Sequence, residues 1–119
     1  MRRCIDTAVI KSDRFKELPL SAQMLYIYLI LEADNYGFLN NAKSTCETIK
    51  AAPEDLAILI EKGFLMPFPS GVYAIKHWFM MNKKDKRLSA TYGEYDLVTV
   101  KNNQYEYRDD KSFPDEMEW

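Results

Sequence analysis

The feature that most constrains this 119-residue chain is a segment, residues 22–34, that is apolar around nearly its whole helical circumference. Two stripes at helical spacing cover it: Ala22, Leu25, Leu29 and Ala33 in one, and Met24, Ile27 and Leu31 in the other. A helix that is apolar on most sides is usually buried on most sides. We therefore predict that this segment is either the central helix of a domain or part of a subunit interface.

The residues before and after this segment predict its ends. Ser21 is a good N-cap, and Asn35-Tyr36-Gly37 is expected to end the helix. Residues 1–12 contain a short apolar alternation that indicates an edge strand or an ordered arm. Asp13 is expected to cap a short turn of helix that Pro19 ends.

Further helices are predicted downstream, after a short extended segment at residues 37–40. Asn40 or Asn41 is expected to cap a second helix over residues 42–50. Ala51-Ala52 forms a turn, and Pro53 fits the first position of a third helix that Gly63 ends. Residues 64–68 and 72–79 are β-like runs separated by turn residues, which predicts a hairpin.

The order helix, short strand, helix, turn, helix, hairpin predicts an α+β fold of the winged helix-turn-helix type, with a three-helix core and a β-hairpin wing. We place this domain, with its N-terminal arm, at residues 1–82. Residues 83–119 are predicted to form a basic linker, a second hairpin at residues 97–107 and an acidic tail.

Composition argues against several classes of protein. No apolar run approaches the roughly 20 residues that span a membrane, and nothing resembles a secretory signal, so a cytoplasmic protein is expected. Cys4, Cys46 and the single histidine, His77, form no disulfide framework or metal-ligand spacing. There is no nucleophile–base pair and no glycine-rich phosphate loop. We expect a protein that is not an enzyme and has no cofactor or metal.

The charges are unevenly distributed. Residues 1–87 carry 13 Lys/Arg and 10 Asp/Glu, whereas residues 88–119 carry 3 and 8. A mildly basic body with an acidic tail is compatible with a nucleic-acid module. The densest cations are Lys83, Lys84, Lys86 and Arg87. Such a cluster can follow a phosphate backbone without reading sequence, although a solvated linker has the same composition.

Other candidate DNA contacts are spread over the predicted domain. The exposed face of the second helix offers Lys43, Ser44 and Lys50, and Lys43, Lys50 and Lys76 would extend the patch of the basic cluster if they share a face with it. The third helix, in the position of a recognition helix, begins with Glu54 and Asp55, which phosphates repel. These acids either accept from cytosine N4 or only cap the helix.

Two more features bear on partners. The predicted wing turn, residues 69–71, lacks the Lys or Arg that wings usually bring to a minor groove. Tyrosines can stack on single-stranded bases or line a protein interface. For Tyr105 and Tyr107, which share a strand face, we expect packing or self-association.

An ordered series of motifs resembles a known family. The series comprises Asp13-Arg14-Phe15, Pro19-Leu20-Ser21-Ala22-Gln23-Met24-Leu25-Tyr26, Glu32-Ala33-Asp34, Gly37-Phe38, Glu54-Asp55-Leu56, Leu59-Ile60-Glu61-Lys62-Gly63-Phe64, Pro67-Phe68, Ser70-Gly71-Val72 and Ile75-Lys76-His77-Trp78. Over about residues 13–95 the chain resembles the N-terminal domain of phage replisome organisers, the DnaD-like replication initiation proteins. The resemblance implies a winged-helix domain that binds or remodels origin DNA, often as an oligomer, and that helps recruit helicase-loading machinery.

Two functions remain in view. The first is a phage- or prophage-type replication-initiation domain that binds DNA modestly, mainly through backbone contacts, with a helicase loader as a possible further partner. The alternative is a protein-interaction or self-assembly module of the replisome without significant DNA binding. Neither involves a membrane.

Overall fold

The computed structural model describes residues 4–5, 7–82 and 90–108 and shows a mixed α+β fold. The elements are α1 (Thr7–Ile10), α2 (Asp13–Lys16), α3 (Leu20–Glu32), β1 (Phe38–Leu39), α4 (Ala42–Thr48), α5 (Asp55–Glu61), β2 (Leu65–Pro67), β3 (Tyr73–Ile75), α6 (Trp78–Met81), a 3₁₀ helix (Gly93–Leu97), β4 (Val98–Lys101) and β5 (Gln104–Tyr107). No helix in these ranges is both long and apolar enough to cross a membrane.

The inner face of α3 forms the centre of the core and packs against α4 and α5. Leu25, Tyr26, Leu29 and Ile30 on this face are fully buried. The ring of Tyr26 meets those of Phe15 and Phe64 edge to face, with centroids 5.7 and 5.3 Å away. Such aromatic pairs add to the stabilisation from area burial alone. These contacts connect α2, through Phe15, and the residues just after α5, through Phe64, to the central helix.

The first sheet is antiparallel with the strand order β1-β3-β2. In the middle strand, Ala74 lies opposite Phe38 on one side and Met66 on the other. The turn between β2 and β3 contains Gly71 with φ of +89°. Strands β2 and β3 therefore form a hairpin, and β3 lies between β2 and β1.

The second sheet is the hairpin β4–β5, which confirms the second hairpin expected from the sequence. Its two-residue turn, Asn102-Asn103, has φ values of 55° and 61°, as a type I′ turn requires. The Tyr107 hydroxyl donates to the Pro67 carbonyl at 2.6 Å, and the Tyr105 hydroxyl donates to the Tyr36 carbonyl. Residues 90–108 thus pack on the same core as residues 7–82.

The N-terminal region differs from the expectation of a strand or arm, because Thr7–Ile10 is helical. Ser12, and not Asp13, caps the following helix: its hydroxyl accepts the Phe15 N–H at 3.2 Å and donates to the Val9 carbonyl at 2.7 Å. This double contact turns the chain sharply between α1 and α2, which an extended arm would not allow.

Two predicted caps of later helices are also wrong. The central helix begins at Leu20, directly after Pro19 in an extended conformation, so Ser21 lies inside the first turn and is exposed. Asn41 occupies the N-cap position of α4, but its side-chain amide donates to Glu32 at 2.7 Å and makes no cap hydrogen bond. Ser21 fails because the helix begins one residue before it, and the Asn41 amide binds Glu32 instead of capping α4.

The third helix begins two residues later than predicted. Pro53 lies in the preceding turn, and the helix begins at Asp55. Asp55 is only 1% exposed, and its carboxylate accepts the Ala52 N–H at 3.0 Å while its own N–H donates to the Ala52 carbonyl at 2.9 Å. This reciprocal pair fixes the turn between α4 and α5.

The predicted strand over residues 72–79 is too long, because β3 ends at Ile75 and Trp78–Met81 is helical. The Trp78 indole N–H donates to the Asn35 carbonyl at 3.1 Å, and its ring lies against Gly37. A Cβ on Gly37, where φ is +85°, would come within 2.6 Å of Trp78 Cγ. The indole therefore lies directly over Gly37, and His77 precedes a helix instead of lying within a strand.

Candidate nucleic-acid interface

The predicted contacts on the second helix lie on the surface. Lys43 and Ser44 are exposed on α4, and Lys50 is exposed just beyond its end, in a left-handed conformation with φ of 62°. The Lys50 N–H donates to the Glu47 carbonyl at 3.1 Å. Glu47 is itself exposed, one turn after Lys43. This surface therefore presents two cations with a carboxylate near them, a weakly positive surface at most.

Lys76 is not available as a DNA contact, contrary to the sequence-based prediction. Its side chain is 8% exposed, and the ammonium donates to the Tyr105 carbonyl at 2.8 Å. Burial lowers the pKa of Lys76, an effect that the Glu106 carboxylate opposes. The docked second hairpin covers this residue, and a phosphate cannot reach it in this conformation.

The basic cluster Lys83, Lys84, Lys86 and Arg87 lies outside the described residues. The structure does describe Asn82, the residue directly before it. The Asn82 side chain accepts the Cys4 N–H at 3.1 Å and donates to the Cys4 carbonyl at 3.4 Å. The covalent attachment point of the cluster is thereby held to the N-terminal segment, close to the end of α6.

The helix that the sequence places in the recognition position, α5, offers little to DNA. It contains no Lys or Arg, and its exposed positions include Ala57 and Glu61, with Glu54 just before its start. Asp55 is buried, and its carboxylate accepts the Ala52 N–H of the preceding turn, so it makes no side-chain cap hydrogen bond to α5 and does not reach a base. Phosphates approaching this face would meet carboxylates, so the surface disfavours the major groove.

The turn between β2 and β3 is equally unsuited to a minor groove. Pro69, Ser70 and Gly71 are exposed and uncharged. The Ser70 hydroxyl donates to Glu94 at 2.6 Å, which holds a carboxylate from the 3₁₀ helix beside the turn. Narrow grooves carry a strongly negative potential. The turn would therefore bring a negative group toward negative phosphates.

Of the tyrosines that could stack on bases, two are buried (Tyr26 and Tyr105), three are half-buried (Tyr92, Tyr95 and Tyr107) and Tyr28 is exposed. Tyr26 and Tyr105 are fully buried, and burial raises their pKa values. Tyr107 is partly buried, with its ring against Phe68 at 5.6 Å. Packing of Tyr105 and Tyr107, one of the two roles expected for them, is confirmed. Tyr28, which is 41% exposed, remains on the surface.

The titratable groups in the described residues show no arrangement for metal binding. No group of three His, Cys, Asp or Glu residues is placed to hold an ion within residues 4–5, 7–82 and 90–108.

Burial lowers the pKa of His77 to about 4, and the positive charges of Lys76 and Arg14 contribute to this shift. Burial and the neighbouring Asp55 carboxylate raise the pKa of Cys46, whose thiol donates to the Ala52 carbonyl at 3.4 Å. Both side chains are neutral packing elements at neutral pH.

A surface that the site prediction missed is the outer face of α3. The exposed side chains there are Leu20 at 82%, Met24 at 50%, Tyr28 at 41% and Leu31 at 54%. The sequence did contain a signal, since Met24 and Leu31 formed the second apolar stripe of the segment. That pattern alone did not show which stripe the core leaves uncovered.

Comparisons with protein-family models, curated proteins and solved structures find no match to this chain. Its function is therefore inferred from the geometry above and from the motif series in the sequence.

Proposed function

We propose that the chain is a winged-helix domain of the phage replication-initiation type that binds DNA modestly, through the phosphate backbone. The observation that carries the proposal is the order α3, β1, α4, α5, β2, β3 with the sheet order β1-β3-β2. Two helices joined by a short turn, packed on a third helix and followed by a hairpin, are the parts of a winged helix-turn-helix. The motif series, which resembles phage replisome organisers, supports the same assignment.

The distribution of charge supports backbone contacts over sequence reading. Lys43 and Lys50 are exposed beside α4, and the basic cluster follows Asn82 directly in the chain. The acids of α5 and the Ser70–Glu94 contact disfavour the two surfaces that would otherwise reach base edges. Contacts to phosphate position a protein but carry no sequence information. We therefore expect little preference among duplex sequences.

Fluorescence anisotropy with labelled random duplex and single-stranded DNA tests this proposal. The full chain is compared with a variant in which Lys83, Lys84, Lys86 and Arg87 are changed to Ala. Lys101→Ala, an exposed lysine near the turn of the second hairpin, is the matched control. We expect salt-sensitive binding that is strongly weakened, but still measurable at low salt, in the fourfold variant and that the control keeps. Absence of binding even at low salt would contradict the proposal.

A second candidate function, a protein-interaction module of the replisome, is favoured by the surface of α5. The exposed positions there carry Glu54, Ala57 and Glu61, and the exposed cation Lys62 lies at the far end, directly after the helix. Such a surface suits a basic protein partner better than a nucleic acid. Glu54→Lys with Glu61→Lys distinguishes the two roles: the change would abolish binding to a basic partner but would not weaken binding to DNA.

A further inference from the structure

The outer face of α3 has the spacing of a helix-pairing seam. Leu20, Met24, Ile27 and Leu31, here called the outer stripe, are separated by four, three and four residues. This alternation is the a/d spacing of a heptad repeat, in which apolar side chains line up along one side of a helix. Ile27 is half-buried and the other three are exposed, with Tyr28 exposed beside them. The inner face of the same helix is already buried in the core.

The exposed apolar area is large enough for a pair of helices to form a specific contact. Leu20, Met24, Tyr28 and Leu31 are 82%, 50%, 41% and 54% exposed. With about 200 Å² for a large side chain, these fractions amount to about 450 Å² on one helix and about 900 Å² for two. The half-buried Ile27 adds to this area. The total approaches the roughly 1,000 Å² at which specific protein interfaces begin.

Charge on the helix favours a second copy in the antiparallel direction. The only charged residue in α3 is Glu32, which accepts a hydrogen bond from Asn41 at 2.7 Å. In a parallel pair the two Glu32 carboxylates would lie side by side. In an antiparallel pair centred on the stripe, the two carboxylates would lie about 20 Å apart along the axis. This distance exceeds the screening length of about 8 Å at physiological salt, so they would hardly repel each other.

The register of the stripe is self-complementary in that direction. When two copies run antiparallel about a point midway between Met24 and Ile27, Leu20 meets Leu31 of the second copy and Met24 meets its Ile27. The same contacts then form twice, as a two-fold symmetric interface requires. We propose that the outer stripe of α3 binds the outer stripe of a second copy of this chain, antiparallel, to form a homodimer. This proposal goes beyond DNA binding and does not depend on it.

Sedimentation velocity of the full chain without DNA tests the proposal, from low micromolar to several hundred micromolar concentration. Leu20→Glu places a charge opposite Leu31, and the double variant Leu20→Glu, Leu31→Lys places opposite charges face to face only in the antiparallel register. Both positions are more than half exposed, so the fold is expected to tolerate the changes. Ala57→Glu, which adds the same charge to the exposed side of α5, is the control.

We expect a reversible monomer–dimer equilibrium for the wild type and for Ala57→Glu. The dissociation constant should rise about tenfold or more in Leu20→Glu and recover in the double variant. A wild type that stays monomeric at every concentration would overturn the proposal. Another protein, or residues 109–119, would then be the candidates that cover the outer stripe. Dimers of Leu20→Glu as strong as those of the wild type would overturn it as well, and a double variant that stays monomeric would overturn the antiparallel register. Because sedimentation is measured without DNA and DNA binding is measured separately by anisotropy, the dimer proposal and the DNA-binding proposal can fail independently.

Discussion

Lys76 and Tyr105 are joined by two hydrogen bonds that run in opposite directions. The Lys76 ammonium donates to the Tyr105 carbonyl at 2.8 Å, and the Tyr105 N–H donates to the Lys76 carbonyl at 2.9 Å. This pair attaches β5 to the segment after β3 and places a lysine of the predicted DNA surface inside the protein. The second hairpin is therefore part of what holds the domain together.

Replacing Lys76 should reduce stability and leave DNA affinity unchanged. Lys76→Met keeps the apolar stem but removes the ammonium, so the buried Tyr105 carbonyl loses a charged donor. Such a bond contributes about 1.5–3 kcal/mol, and we expect a loss of the free energy of unfolding of about that size. Urea unfolding measures it, with Lys101→Met on the exposed hairpin as the control. An unchanged stability together with weaker DNA binding would contradict the structural role.

The stability of the protein should fall between pH 6.5 and pH 4 because of His77. Burial lowers the pKa of this side chain from 6.5 to about 4, so over this range the unfolded chain binds a proton that the folded protein does not. The folded state is therefore disfavoured as the pH drops. At pH 5 the effect is about 2 kcal/mol relative to pH 7.

Urea unfolding of the wild type and of His77→Gln at pH 7 and pH 5 isolates this contribution. Glutamine is polar and does not titrate, so the loss between the two pH values should shrink by about 2 kcal/mol in the variant. The two proteins differ only at this position, so other effects of pH cancel in the comparison. The same pH dependence in both proteins would show that His77 does not take up the proton on unfolding.

Asp55 should be important for stability and unimportant for DNA binding. Asp55→Ala removes the acceptor of the Ala52 N–H at a buried turn, which should cost about 1–2 kcal/mol. Glu54→Ala, one residue earlier and exposed, should change stability by less than about 0.5 kcal/mol. Thermal unfolding of both variants provides the comparison. A loss of DNA affinity in Asp55→Ala, with the fold intact, would show that the carboxylate reaches the nucleic acid.

Gly37 and Gly71 form a matched pair for testing the contact with Trp78. Both have left-handed backbone conformations, with φ of +85° and +89°. A Cβ on Gly37 would come within 2.6 Å of Trp78 Cγ, whereas a Cβ on Gly71 meets nothing within 4 Å. Gly71→Ala should cost about 1–2 kcal/mol from backbone strain alone, and Gly37→Ala about 1–3 kcal/mol more. Equal losses in urea unfolding would show that the Trp78 ring moves aside freely.

The sequence predicted the elements whose signals are local. The β4–β5 hairpin follows from two β-like runs around Asn102-Asn103, and the three longest helices follow from apolar periodicity and the turn residues between them, although the predicted caps were wrong. The burial of Lys76 was not predictable in this way, because it depends on β5, which is 29 residues away. The prediction that the Asn41 side chain caps α4 failed for a similar reason, because its amide donates a hydrogen bond to Glu32 in another helix.

The same reasoning explains what was missed at the surface. Periodicity showed that α3 is apolar on nearly every side, but both stripes looked alike in sequence. Only the packing of α4 and α5 decides that Leu25 and Leu29 are buried while Met24 and Leu31 are not. The exposed acids around α5, by contrast, were visible in the sequence, and so was their poor fit to a phosphate surface.

The central proposal, that the chain binds the phosphates of DNA with the basic cluster that follows Asn82 in sequence and not with α5, is tested most directly by the salt dependence of binding. Each phosphate contact contributes about 0.9 to the slope of log affinity against log salt for duplex DNA. We expect the slope of the wild type to exceed that of the variant lacking Lys83, Lys84, Lys86 and Arg87 by about 3–4 units. Equal slopes, or affinity that does not depend on salt, would contradict the claim.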